Sequence, residues 1–90
     1  MIKYTEEELT KILEDHKLWL NNKTTGKRAD LRHTDLVGAD LKGANLSYAN
    51  LEGANLMCAD LESAYMWGAN LEGASLRGAI LSGAIFNKGE

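Results

Sequence analysis

The feature that most constrains this 90-residue sequence is a repeat with a period of five. It runs without a gap from Ala29 to Lys88. Twelve consecutive units fit it, centred on Leu31, Leu36, Leu41, Leu46, Leu51, Leu56, Leu61, Met66, Leu71, Leu76, Leu81 and Phe86. Two residues before each centre stands Ala29, then Thr34, then alanine in every unit from Ala39 to Ala84. The residue just before the centre is mostly Asp or Asn. The residue two after it is Gly in seven of the twelve units.

Neither regular element buries these twelve centres together. On an α-helix a step of five residues turns by about 140°, so the leucines would smear around the cylinder. In a straight strand side chains alternate, and five is odd, so successive leucines would point to opposite faces. One geometry works. Ala and Leu, two apart, face the same side of a short extended segment. If the chain then turns a corner, the next pair faces inward again. Gly after the centre suits that corner, because it accepts φ > 0 at little cost. Repeated turning in one sense gives an all-β solenoid with an Ala/Leu interior. Stacked backbones about 4.8 Å apart would make a tower about 15 Å tall if three coils are present. The period alone does not choose between three and four sides.

The unit of small residue, Asp or Asn, Leu and two variable residues resembles the pentapeptide-repeat family, over about two thirds of the chain. The resemblance implies a right-handed quadrilateral parallel β-helix with four units per coil, hence about three coils. It also implies a tendency to dimerise through the C-terminal end.

Residues 1–28 read differently and are expected to form a capping helix and linker, with residues 29–90 forming the solenoid. Thr5-Glu6-Glu7-Glu8 spells a capping box, Tyr4 and Leu9 are placed as a hydrophobic staple, and Glu7 can pair with Lys11. Three glutamates in the first turn complement the helix dipole. Leu9, Ile12, Leu13, His16, Trp19 and Leu20 form one apolar stripe, with Leu18 facing away. The spacing predicts an α-helix over about 6–20, ending near Asn21-Asn22 and laid over the first coil as a cap. Lys23, Lys27 and Arg28, in the linker after it, read as a solvated basic loop.

The residues flanking each centre should point outward, and most are polar. The exceptions gather late. Tyr65 stands where Asp or Asn is usual, with Trp67 two residues on. At four units per coil Ile85 stacks in the Tyr65 column, Ile80 lies on the adjacent side, and Phe86 ends the inner column. Tyr65, Trp67, Ile80, Ile85 and Phe86 are therefore the candidate interface, since an apolar patch of this kind marks a contact. A two-fold homodimer through the C-terminal end is the economical reading, with an unidentified protein partner as another.

Chemistry is sparse. His16 reads as a packed or hydrogen-bonded residue and His33 as a lone exposed corner residue. Cys58 stacks between glycines at a corner with no base beside it, so no catalytic residue is expected. No Cys/His spacing suggests zinc and no calcium-loop spacing is present, so neither metal nor cofactor is expected. The Asp and Asn before each leucine are placed to bond local backbone at the corners. Net charge is −3, and the repeat carries Arg32, Lys42, Arg77 and Lys88 against seven acidic residues, so no basic stripe for nucleic acid appears. No apolar run approaches a membrane span. One cysteine forms no internal disulfide and fits a cytoplasmic setting.

These features point to a non-enzymatic interaction or scaffold module. The family suggests a second reading: some members mimic duplex DNA and modulate DNA gyrase or topoisomerase. The short tower and mixed charge count against it.

Overall fold

The computed structural model describes residues 1–87. Its ladder consists of single parallel bridges rather than strands of several residues. Asp30 bridges Asn50, Asp35 bridges Asn55, Asp40 bridges Asp60 and Asn45 bridges Tyr65; Asn50, Asn55, Asp60 and Tyr65 then bridge Asn70, Ser75, Ile80 and Ile85. Every partner is twenty residues on, so each coil takes four five-residue units. The hydrogen bonds repeat accordingly. Leu31 N–H donates to the Asn50 carbonyl at 2.8 Å, and Asn50 N–H donates to the Ala29 carbonyl at 3.0 Å.

Each corner follows from local chemistry. From Ala39 to Ala84, every repeat alanine donates its N–H to the carbonyl of the preceding centre, at 2.9–3.1 Å. The residue two after the centre has φ > 0, at the glycines and also at His33, Tyr48, Cys58 and Ser63. A four-residue turn with φ > 0 only at its third position is the type II pattern. The Asp or Asn before the centre closes the other side. In eight units, those of Asp30, Asp35, Asp40, Asn45, Asn50, Asn55, Asp60 and Asn70, its side chain accepts from the N–H two residues on, at 3.0–3.3 Å.

The four non-glycine corners lie one coil above glycines. The His33 ring fills the space a Cβ on Gly53 would need, and the Tyr48 ring does the same at Gly68. Cys58 Sγ and the Ser63 hydroxyl stand 3.2 Å from where a Cβ on Gly78 and Gly83 would lie, a tight contact rather than an overlap. At His33 and Tyr48 a ring at one level thus leaves no room for a side chain below.

The inner column runs through the tower. Leu31, Leu36, Leu41, Leu46, Leu51, Leu56, Leu61 and Met66 are buried together with the repeat alanines of the middle coil, each large side chain contributing roughly 1.5–3 kcal/mol. Leu71, Leu76 and Leu81 are half-buried, and Phe86 is exposed. The last corner, Lys88, and the two residues after it lie outside the described residues.

The first coil is covered by helix α1, Glu6–Asn21, whose N-cap Thr5 accepts from Glu8 N–H while Glu8 reaches back to Thr5 N–H. Tyr4, Leu9, Ile12 and Leu13 pack on the core, His16 is buried, Trp19 and Leu20 are half-buried, and Leu18 faces water. Lys11 pairs with Asp15 at 3.1 Å rather than with Glu7; both are one turn away, and the helix surface permits either. Ahead of α1, Ile2 extends the ladder. It bridges Thr34 in parallel, donates to the His33 carbonyl and accepts from Asp35 N–H. After α1 the chain folds back so closely that a Cβ at Gly26 would strike the Asp15 carbonyl and the Leu18 side chain. With φ of +71° there, only glycine fits without strain.

Candidate interaction surface

His16 joins the cap to the tower. Ala29 N–H donates to its Nδ1 at 3.0 Å, so Nε2 carries the proton and donates to the Ser47 carbonyl at 2.8 Å. In the coils below, the equivalent carbonyl accepts a backbone N–H from the coil above, as Glu52 accepts from His33. The imidazole stands in for that missing amide. Burial lowers the His16 pKa from its ordinary 6.5; the hydrogen bond to Ser47 opposes the shift, and the charges of Arg28 and Lys23 add to it. The residue is a neutral two-way link, with no vacant nitrogen for a metal or substrate.

The outer walls are mixed in charge. Lys42 reaches Glu62 one coil down, at 3.5 Å, and Arg32 holds Asp30 at 2.8 Å. That guanidinium, hydrogen-bonded to the carboxylate, lowers the Asp30 pKa to about 2. Among the described residues no group of three His, Cys, Asp or Glu side chains converges as a metal site. Cys58 is an exposed free thiol. A groove of about 470 Å³ between the start of α1 and the 35–40 face is lined by Tyr4, Leu9, Leu13, Leu36 and Val37, together with Lys3, Thr5, Thr10 and the acidic Glu6, Asp35 and Asp40. Among the described residues no helix is long and apolar enough to cross a membrane.

The candidate interface residues lie on two adjacent faces. Tyr65 and Ile85 stack in one column and Ile80 continues the Asp40–Asp60 column beside it. They are 44%, 38% and 50% exposed, and Phe86 is 39% exposed. Trp67 is half-buried, with its ring edge-on to Tyr48 at 5.2 Å.

That contact belongs to a cluster the residue order did not reveal. Trp19 stacks on His16, with ring centroids 5.7 Å apart. Lys23 Nζ lies 4.0 Å from the Trp19 ring and 5.5 Å from the Tyr48 ring, and Arg28 sits 5.9 Å from the indole. Arg28 Nε also donates to the Tyr48 carbonyl, at 2.6 Å. Lys23 and Arg28 are exposed, as expected of a solvated loop, and they also lie against aromatic rings, which was not expected. A spacing of twenty places Tyr48 directly above Gly68, beside Trp67, and this was the one available clue. The buried Ser47 hydroxyl, next to Tyr48, has no hydrogen-bond partner among the described residues.

A family model of pentapeptide repeats, in eight copies, matches residues 27–57 and 54–88. The chain belongs to the pentapeptide-repeat family. Among solved structures, this pentapeptide-repeat chain is similar to the pentapeptide repeat protein Rfr23 from the cyanobacterium Cyanothece 51142. The two are 42% identical, with a TM-score of 0.56, over 64% of this chain and 44% of that one. A pentapeptide repeat protein from Nostoc PCC 7120, alr5209, is 26% identical over 92% of this chain and 75% of its own, with a TM-score of 0.47. HetL, a pentapeptide repeat protein from Nostoc sp. strain PCC 7120 involved in heterocyst differentiation regulation, is 40% identical over 69% of this chain and 34% of its own, with a TM-score of 0.29. The chain thus spans less than half the length of Rfr23 and of HetL. No curated protein matches it significantly.

Proposed function

We propose that this chain is a non-enzymatic interaction module, a right-handed, four-sided parallel β-helix capped by α1, which self-associates through its last coil in the cytoplasm. The observation that carries the reading is what Ile80 and Ile85 give up. They occupy the position where eight other units place an Asp or Asn that closes the corner. An isoleucine there forgoes a local hydrogen bond and exposes an apolar side chain instead. Both stand beside Tyr65 and Phe86 and below the sealed part of the leucine column. A second copy meeting this surface by two-fold symmetry would cover all four residues at once. The walls interleave Arg32, Lys42 and Arg77 with the acidic residues, which weakens the case for a DNA-like surface.

Light scattering and sedimentation test the proposal. The wild-type chain should have twice the mass of Ile80→Asp/Ile85→Asp, whose outward positions leave the core intact. Equal monomer masses would end the reading.

A further inference from the structure

The corner where α1, the connection after it and two coils meet has a chemistry of its own. Lys23 and Arg28 converge on the Trp19 indole. Three other cations, Lys11, Arg32 and Lys42, each have a carboxylate partner. Among the described residues no carboxylate lies within ion-pair distance of Lys23 or Arg28, nor of Lys3, Lys17, Lys27 or Arg77; what sets Lys23 and Arg28 apart is that they converge on one ring. Two like charges over one ring repel, and a ring face compensates an exposed ammonium less well than a hydrogen-bonded anion does. Their field reaches the buried His16 and disfavours its protonation.

The space between them, about 280 Å³, is lined by Trp19, Lys23, Arg28 and Tyr48. Its aromatic wall is held in place. The Tyr48 ring rests on Gly68, meets the edge of Trp67, and its carbonyl is tied to Arg28 Nε. Tyr48 is still 38% exposed. Arg28 spends only Nε on that tie, which leaves the rest of its guanidinium fork, and Lys23 brings three donors.

We propose that this corner binds an anionic group carried on a planar, apolar body, an aryl phosphate or aryl carboxylate, with Lys23 and Arg28 on the anion and Tyr48 against the body. The anion would remove the like-charge repulsion, and the ring would supply a preorganised stacking surface. A cationic ligand would meet the same two charges and be excluded. On the walls, Arg32 and Lys42 already hold Asp30 and Glu62, which leaves them less available to an anion than Lys23 and Arg28. The aryl group could be a free molecule or the phosphorylated tyrosine of a peptide; the chemistry of recognition is the same. The site is formed by α1, the connection after it and the first coil, and does not depend on self-association.

The test is an NMR titration of the full chain, read at the Trp19 indole N–H and the Tyr48 amide. Phenyl phosphate should shift both signals saturably and bind at least about tenfold more tightly than inorganic phosphate. Phenyltrimethylammonium should shift neither. Lys23→Ala, which alters an exposed side chain, should weaken phenyl phosphate about tenfold at an unchanged melting temperature. A short phosphotyrosine peptide binding more tightly than phenyl phosphate would identify a protein source, and the reverse a free ligand. The proposal is overturned if phenyl phosphate gives no saturable shift, if phenyltrimethylammonium binds as well, if Lys23→Ala has no effect, or if the shifts centre on Ile80 and Ile85.

Discussion

The two ends of the leucine column are built from the same repeat and fare differently. In the first coil Leu31, Leu36, Leu41 and Leu46 are 0–4% exposed. In the last described coil Leu71, Leu76 and Leu81 are only half-buried. The repeat places every centre inward, but inward is not the same as sealed. Sealing at the upper end comes from parts outside the repeat. The apolar face of α1 covers the leucines, Ile2 supplies one bridge, and His16 supplies a donor and an acceptor where a further coil would have offered backbone. A solenoid edge thus needs both an apolar lid and polar replacements for its missing ladder.

The sharpest way to break the comparison is to remove the lid. Deleting residues 1–20 should abolish cooperative thermal unfolding and cause aggregation, as judged by calorimetry and turbidity. An equally stable, soluble tower would mean that α1 seals nothing. The next effect compares matched leucines. Leu46→Ala should cost about 2–5 kcal/mol in chemical denaturation, because it opens a cavity in a closed core. In dilute solution Leu81→Ala should cost about 1–2 kcal/mol, since less of that side chain leaves water on folding. If the last coil pairs with a second copy, that gap should narrow as protein concentration rises. A gap that stays fixed over a hundredfold concentration range would separate the column's lower end from self-association.

The smallest effect sharpens the role of His16. Folding lowers its pKa below the ordinary 6.5, so the folded chain binds this proton less readily than the unfolded chain. Its contribution to stability is therefore complete above about pH 6.5 and declines as the pH falls below that value, by at most about 1.4 kcal/mol per pH unit for one proton. His16→Gln keeps one acceptor and one donor without the titration. Its stability should depend less on pH between 6.5 and 5 than the wild type's, measured by urea midpoints. Parallel pH profiles would place the wild-type dependence elsewhere.

Much of this was legible in the residue order because it depends on short spacings. Ala and Leu two apart share a side. Asp or Asn two residues before an amide can bond to it, and Thr5 and Glu8 three apart cap a helix. What sequence did not reveal depends on residues far apart in the chain. The ring of Tyr48 over Gly68, its edge contact with Trp67, the Lys23–Trp19 stack and the His16–Ser47 bond all join residues that local patterning does not relate.

The sequence by itself determined the period, the inward column, the outward polar positions and the start of the helix, because each follows from backbone geometry over five residues or one helical turn. Only the tertiary structure decided the register of twenty, since the corner angle that sets four sides comes from closing whole coils on one another. It also decided which end is sealed, since that depends on where a separate helix comes to rest.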